Sequence, residues 1–415
     1  MVGVACLPFP AGSRFLPCKF AFFSQGTHLM TTTLTTPSAD LPAPWSVMLD
    51  NYLLARTLTR ANDKSAHWDV FPENYEDVIR HQAPWETFLR NGISVGFNDD
   101  LLYVNDRWQY RLNHDFRDLI PETVPTGPAR ENIRAMIRFV MRICGTDFVK
   151  QVAAPAIGSP QHLAFTWQET PSSPQHPMRL ARHDLSLIYY AWQISRLASP
   201  FMPSSAVFAE IGAGYGETMA KVKTIFPDAR CILFDLAEMN AVQTYYLSRR
   251  FPDARILYLR DLEERGSAVF SESYDFLILP GWSIERVPDG YLNFTYTTRA
   301  LQEMRNSVIK FYFEQIQRAQ AIGGVYYCVS RYLKTSNDEA VEFSKFPYDD
   351  CWRMLLSHPC SFQSNCHELA VCRTNQREPF TVAEAMAGID GRVLDARRGG
   401  QAKALGALTL RGKRS

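Results

Sequence analysis

The segment with the most chemical content is Glu210-Ile211-Gly212-Ala213-Gly214-Tyr215-Gly216. Alternate glycines let a backbone turn sharply and bring its amides against a ligand without Cβ interference. The run before it, AVFAEI, reads as a strand, and ETMAKVKTIF after it as a helix. A loop in that context opens onto a helix N-terminus, whose N–H groups can contact polar or anionic atoms. Asp235 ends a second apolar run, CILFDL, 19 residues after Gly216. Adjacent parallel strands would set this carboxylate beside the loop, where it can accept from two neighbouring ribose hydroxyls. Hydrogen bonds to a charged acceptor are worth roughly 1.5–3 kcal/mol each.

The spacing separates two ligand classes. A dinucleotide fingerprint, G-x-G-x-x-G, would need its third glycine at 217. That residue is Glu217, which would face a pyrophosphate with a like charge. The spacing here is G-x-G-x-G, with an acid two residues before the first glycine. It resembles the loop of class I S-adenosylmethionine (SAM) methyltransferases. SAM has no phosphate and carries a cationic amino group and a sulfonium, so a carboxylate such as Glu210 suits it. The resemblance implies Glu210, Gly212, Ala213, Gly214, Gly216, Asp235 and Leu236 as cofactor-binding residues. Asp261, after a third strand, is placed near the adenine, or else caps the helix that follows. Pro280 and Gly281 end the run YDFLILPG, read as a fourth strand, where methyl group and acceptor would meet.

A longer stretch carries a narrower resemblance. EIGAGYGETMAKVKTIFPDARCILFDLAEMNAVQTYYLSRRFPDARI is similar to the core of the bacterial sugar O-methyltransferases. Phe234-Asp235-Leu236, Glu238 and Tyr245-Tyr246-Leu247 are the most family-like details. Glu303-Met304, Phe311-Tyr312-Phe313, Ser330-Arg331, His367-Glu368 and the Gly158-Ser159-Pro160 turn extend the likeness over roughly residues 60–375. One departure is Ala237, where the family pattern has Pro. The resemblance implies a Rossmann-like α/β fold: a mostly parallel seven-stranded sheet, helices on both faces, and a helical N-terminal cap. It implies O-methylation of a sugar or a sugar-bearing natural product, with SAM as cofactor. Methylation of a non-sugar acceptor, a catalytically silent SAM-fold scaffold, and a nicotinamide oxidoreductase are the competing readings. Glu217 counts against the last.

Methyl transfer to a hydroxyl needs in-line alignment, which can supply roughly 7–11 kcal/mol, and a base, worth about 10²–10⁴-fold. His367 beside Glu368, His183 at the start of a helix, and Glu285 after the fourth strand are the candidate bases. Each also has an ordinary structural reading: a hydrogen-bonded core histidine, a capping neighbour, a solvated loop charge. Arg331 could bind acceptor hydroxyls or a carboxylate. Trp282, with Tyr291, Phe294 and Tyr296, could form an aromatic acceptor platform or simply pack.

The elements that must hold these residues change character along the chain. Residues 1–44 read as a disordered or mis-assigned extension, with Met30 resembling a natural start. Residues 45–200 read as a mostly helical cap or substrate region. Within them, ENIRAMIRFVMRIC (131–144) places Ile133, Ile137, Val140 and Met141 on one face. HDLSLIYYAWQISRLAS (183–199) does the same with Leu185, Ile188 and Tyr189. A Pro-rich connection lies between them, and a small hairpin is expected around 93–112. Residues 201–375 alternate short apolar strands with helices, which gives a parallel sheet covered on both faces. EMRNSVIKFYFEQIQRAQAIGG (303–324) reads as one long helix. Phe226-Pro227-Asp228-Ala229-Arg230 recurs as Phe251-Pro252-Asp253-Ala254-Arg255, two uses of one helix-to-strand turn. Residues 376–415 read as a flexible tail.

Composition closes off several classes. With 44 Lys+Arg against 43 Asp+Glu, net charge is +1, without the basic excess of a nucleic-acid binder. No run of 18 apolar residues offers a membrane span. Nine scattered cysteines read as reduced, in a cytoplasmic protein. Cys360, Cys366 and Cys372, with His358 and His367, lack the close Cys-x-x-Cys pair of a zinc site, so no metal is expected. The expected partner is a small-molecule acceptor, and a homodimer is compatible with this reading.

Overall fold

The computed structural model describes residues 41–59, 71, 75–89, 93, 128–160, 162–200, 202–335, 339–363, 365–377 and 380–387. The expected hairpin at 93–112 and the segment 1–29 lie outside them, apart from Ile93. The chain opens with helices α1 (Trp45–Leu58), α2 (Tyr75–Arg80), α3 (Pro128–Cys144) and α4 (Thr146–Val152). Ile137, Val140 and Met141 on α3 are buried, as their spacing predicts. The Pro-rich connection then does what periodicity did not suggest. It forms an antiparallel hairpin, β1 (His162–Trp167) with β2 (His176–Ala181), that runs straight into α5 (Arg182–Ala198).

Alternation follows: β3 (Val207–Ile211), α6 (Glu217–Ile225), β4 (Arg230–Asp235), α7 (Ala237–Arg250), β5 (Ile256–Tyr258), α8 (Leu259–Arg265) and β6 (Phe276–Pro280). Then come β7 (Leu292–Thr298), α9 (Asn306–Ala319), β8 (Gln320–Arg331), the short pair β9 (Leu333–Lys334) and β10 (Val341–Glu342), β11 (Trp352–Pro359), β12 (Cys366–Arg373) and α10 (Val382–Ala387). Eight strands, one more than expected, form a single sheet in the order β11-β12-β8-β7-β3-β4-β6-β5. It is parallel from β8 to β5, with β12 and β11 antiparallel at one edge. This is a Rossmann-like α/β architecture with a helical N-terminal region. Every residue of β3 and β6 is buried, as strands covered on both faces require.

Residues 276–280, read as the fourth strand, lie beside β4, on the side away from β3. The strand on β3's other flank is β7, formed by LNFTYTT from the segment read as an aromatic acceptor platform. Its polar groups are internally satisfied. Asn293 accepts the Val207 N–H at 2.8 Å, and Thr295 donates to the Gln320 side chain at 2.7 Å. The long helix stops at Ala319 rather than 324, because Gln320 already begins β8. The segment after 376 includes α10, whose Val382 and Met386 are buried and whose Ala385 carbonyl accepts the Ser357 hydroxyl at 2.7 Å.

The repeated FPDAR turn is built the same way twice. The N–H groups of Phe226 and Phe251 close the preceding helices, and those of Ala229 and Ala254 return to Phe226 and Phe251. The main hydrophobic core runs from Trp45 to Met386, and a second buried cluster joins α3 and α4 to the β1–β2 hairpin and the start of α5. Helix α1 belongs to the first: Trp45 and Trp85 pack on Tyr245 of α7, and Arg260 of α8 forms a bidentate pair with Asp50 of α1.

Candidate functional site

The Gly-rich loop joins β3 to α6 at the carboxyl edge of the sheet, the usual ligand edge of an open α/β fold. Gly212 has φ +70° and Gly216 φ +90°, conformations that L side chains rarely adopt. At Gly212 space forbids a side chain as well, because a Cβ would lie 2.1 Å from the Ala300 Cβ. Gly212→Val should add about 1–3 kcal/mol of overpacking to roughly 1–2 kcal/mol of left-handed strain. The expected result is a lowered unfolding midpoint and lost ligand binding. A variant that melts and binds like the parent would show that the loop tolerates a shifted Ala300.

Asp235 reaches across from β4 as its position predicts. One carboxylate oxygen accepts the Gly214 N–H at 2.7 Å, the other its neighbour Leu236 N–H at 2.7 Å. The Gly214 carbonyl accepts the Gln243 side-chain amide at 2.7 Å, and Asn240 holds Gln243 at 3.0 Å. Asp235 and Gln243 thus fix both ends of one loop residue. Burial pushes the Asp235 pKa up to about 7; the two amides oppose the rise, and Glu238 and Glu303 add to it.

Pro280 pairs with Asp235 in register, so Pro280 and Gly281 do join Asp235 at the edge. A Cβ on Gly281 would lie 2.1 Å from the Tyr312 hydroxyl oxygen and 3.8 Å from the Asp235 carbonyl. Trp282 is half-buried beside them, and its indole N–H is buried with no hydrogen-bond partner among the described residues. The residues that flank the loop on the β7 side are Thr298, Arg299 and Ala300.

Other predicted residues sit elsewhere. Glu210 is buried under the loop, accepting the Tyr296 hydroxyl at 3.0 Å. Burial holds its carboxyl well above the usual range, which favours the neutral form over the anion expected there. Asp261 follows the edge strand β5. It accepts the Tyr258 N–H at 2.7 Å and pairs with Arg265, so it caps α8 and does not join the loop. Glu217 is buried, bound to Lys221 and to Arg250 of α7. Tyr296 and Phe294 are buried strand residues rather than an acceptor platform.

The three candidate bases separate. His367 is fully buried on β12, with Ser357 at 2.9 Å from one ring nitrogen and Tyr332 at 3.3 Å from the other. Its partner in sequence, Glu368, accepts instead from Tyr189, Gln193 and Tyr327. Glu285 is exposed on the 3-10 turn Gly281–Arg286. His183 begins α5 with its ring 6.1 Å from the Tyr215 ring, against the loop itself. Gln243, Arg299 and Glu303 were not legible as site residues, because contacts between separate elements place them.

No family model matches the chain. No curated protein matches it. Solved structures that resemble it include geranyl diphosphate methyltransferase in complex with SAM, at 14% identity and TM-score 0.25, covering 36% of this chain and 50% of that one. The pyocyanin biosynthetic protein PhzM matches at 13% and 0.30, covering 46% and 58%. The mitomycin 7-O-methyltransferase MmcR matches at 16% and 0.30, covering 60% and 69%. The chain therefore spans about half the length of the first two. At these identities and scores, the fold rests on the strand order itself.

Proposed function

We propose that the chain is a SAM-dependent O-methyltransferase acting on a hydroxyl of a sugar or sugar-bearing natural product in the cytoplasm. The observation that carries the cofactor reading is the Asp235 carboxylate lying across the glycine loop. A carboxylate has about four lone-pair sites. Gly214 and Leu236 take two, leaving two for a vicinal diol. Gly212–Gly216 provides a bare backbone for the amino-acid end, and Pro280-Gly281 a flat wall beside Asp235 for the base. SAM supplies an electrophilic methyl group, whose transfer to oxygen leaves S-adenosylhomocysteine and a proton. His183, against Tyr215, is the residue we assign to take that proton. Arg331, on the β8 side, is assigned to the acceptor, and Trp282, beside Pro280-Gly281, to the wall that holds the base. The sugar assignment is supported by the FDL-x-E…YYL pattern of the sequence.

Calorimetric titration with SAM, S-adenosylhomocysteine and NAD tests the cofactor. Binding of both sulfur ligands and none of NAD is expected. NAD binding alone would make the protein an oxidoreductase, and binding of neither class would favour a scaffold. With methyl-labelled SAM and a sugar panel, His183→Ala should lower turnover by about 10²-fold or more while leaving S-adenosylhomocysteine affinity within a few-fold. Unchanged turnover would remove His183 as the base.

A further inference from the structure

Two arginines at the carboxyl edge hold positive charge that nothing in the described structure neutralises. Arg299 directly follows β7, and Arg331 ends the neighbouring β8. The Arg299 N–H donates to the Val329 carbonyl at 2.7 Å, two residues before Arg331. The Arg331 N–H donates to the Gln302 side chain at 2.7 Å, in the turn that Arg299 opens. Both side chains are half-buried, and the Nε of each is buried without a hydrogen-bond partner. Such a donor costs free energy until an acceptor arrives. The carboxylates of this region are engaged otherwise: Glu303 pairs with Lys334 at 3.0 Å, and Glu368 accepts from tyrosines and Gln193.

The backbone adds a second, independent sign. Arg299 has φ +70°, and among the described residues Ser159 alone is another non-glycine in the left-handed region. Strain of this kind persists where surrounding structure demands it, and it clusters at ligand sites. Arg299 is also the residue before Ala300, which touches Gly212 of the loop. Arg299 therefore lies beside the loop on the β7–β8 side, away from Asp235 across β3, and Arg331 ends the strand next to it.

We infer that Arg299 and Arg331 form a site for an anionic group on the acceptor, so that the methylated molecule is a charged sugar, bearing a carboxylate or a phosphate, rather than a neutral one. Planar guanidinium forks match either anion in bidentate geometry. This rests on the methyltransferase reading only for calling the ligand an acceptor; the anion site itself stands on the two arginines.

The test titrates glucose, glucuronate and glucose 1-phosphate into the full chain, with and without saturating S-adenosylhomocysteine. At least one charged sugar is expected to bind tenfold or more tighter than glucose. Glucuronate preference identifies the carboxylate, and glucose 1-phosphate preference the phosphate. Arg299→Asn, chosen because Asn tolerates the left-handed backbone, and Arg331→Gln should each erase most of that preference with S-adenosylhomocysteine affinity unchanged. No preference for either charged sugar, or a preference that survives both substitutions, overturns the proposal. Loss of S-adenosylhomocysteine binding in the parent, with the anion preference intact, would instead overturn the methyltransferase reading and keep the site.

Discussion

Asp235→Asn is expected to weaken S-adenosylhomocysteine binding by at least tenfold and to remove its pH dependence. Asn keeps one acceptor oxygen and turns the other into an NH₂ donor. That donor faces the Gly214 or Leu236 N–H, each now bound at 2.7 Å, as well as the incoming hydroxyl. Losing one hydrogen bond to a charged acceptor costs about 1.5–3 kcal/mol, or roughly 10- to 150-fold in affinity. The pKa of about 7 adds a sharper signature. A diol donates to the ionised carboxylate, so the unliganded protein must lose a proton below pH 7 before it binds. Affinity should fall about tenfold per pH unit on the acid side of 7 and level off above it. Folding stability runs the other way. The folded pKa lies above the ordinary carboxylate value, so the contribution of Asp235 is full below that value and is lost as pH rises through about 7. Calorimetry and thermal unfolding across about two pH units either side of 7 would show these opposed slopes in the parent, and the variant should lose the binding slope and the share of the stability slope that Asp235 supplies, with Glu210 and Asp184 keeping theirs. A variant that binds as tightly as the parent would sink the ribose assignment.

What was legible in the sequence is what short-range chemistry dictates. The glycine loop, its strand and its helix follow from residues 206–226 alone, and Asp235 follows from ordinary parallel pairing of β3 with β4. What was not legible depends on which strand lies beside which. The apolar run 276–280 reads as a strand and 292–298 does not, yet it is β7 that flanks β3. It does so because Asn293, Thr295 and Tyr296 find partners in Val207, Gln320 and Glu210, contacts no local pattern encodes. The same cause moved the site: with β7 flanking the loop, the residues after it, Arg299 to Glu303, border the ligand edge, and Asp261, beyond the edge strand, drops out. His367 failed as a base for a related reason. Its neighbour in sequence, Glu368, lies on the opposite face of β12, as successive strand residues must, and so cannot orient its ring.

Lys221→Met is expected to cost about 3–5 kcal/mol of stability, the penalty for removing one partner from a buried ionic cluster. Lys221 is fully buried. It pairs with Asp184 of α5, lies 2.6 Å from Glu217, and donates to the Val152 carbonyl at 2.6 Å. Glu217 keeps Arg250 when the lysine goes, but Asp184 keeps only the Ala154 N–H at 2.9 Å. Burial already raises the Asp184 pKa, with Lys221 opposing and Glu217 reinforcing, so the variant's Asp184 should be driven toward its neutral form. The sign follows from that raised pKa: the variant should be least stable at alkaline pH and regain stability as pH falls. Lys221→Met with Asp184→Asn should recover most of the loss, because Asn still accepts the Ala154 N–H and leaves no unpaired charge. The effect should also reach the ligand. Glu217 is the first residue of α6, immediately after Gly216, so slack in the cluster becomes slack in the loop that Asp235 and Gln243 clamp. Chemical denaturation of both variants, with S-adenosylhomocysteine affinity measured alongside, separates these effects. A loss under about 1 kcal/mol for Lys221→Met would place the pair in the range of solvent-screened surface bridges and refute its part in holding the loop. A full loss that Asp184→Asn fails to relieve would locate the cost in the Val152 contact instead.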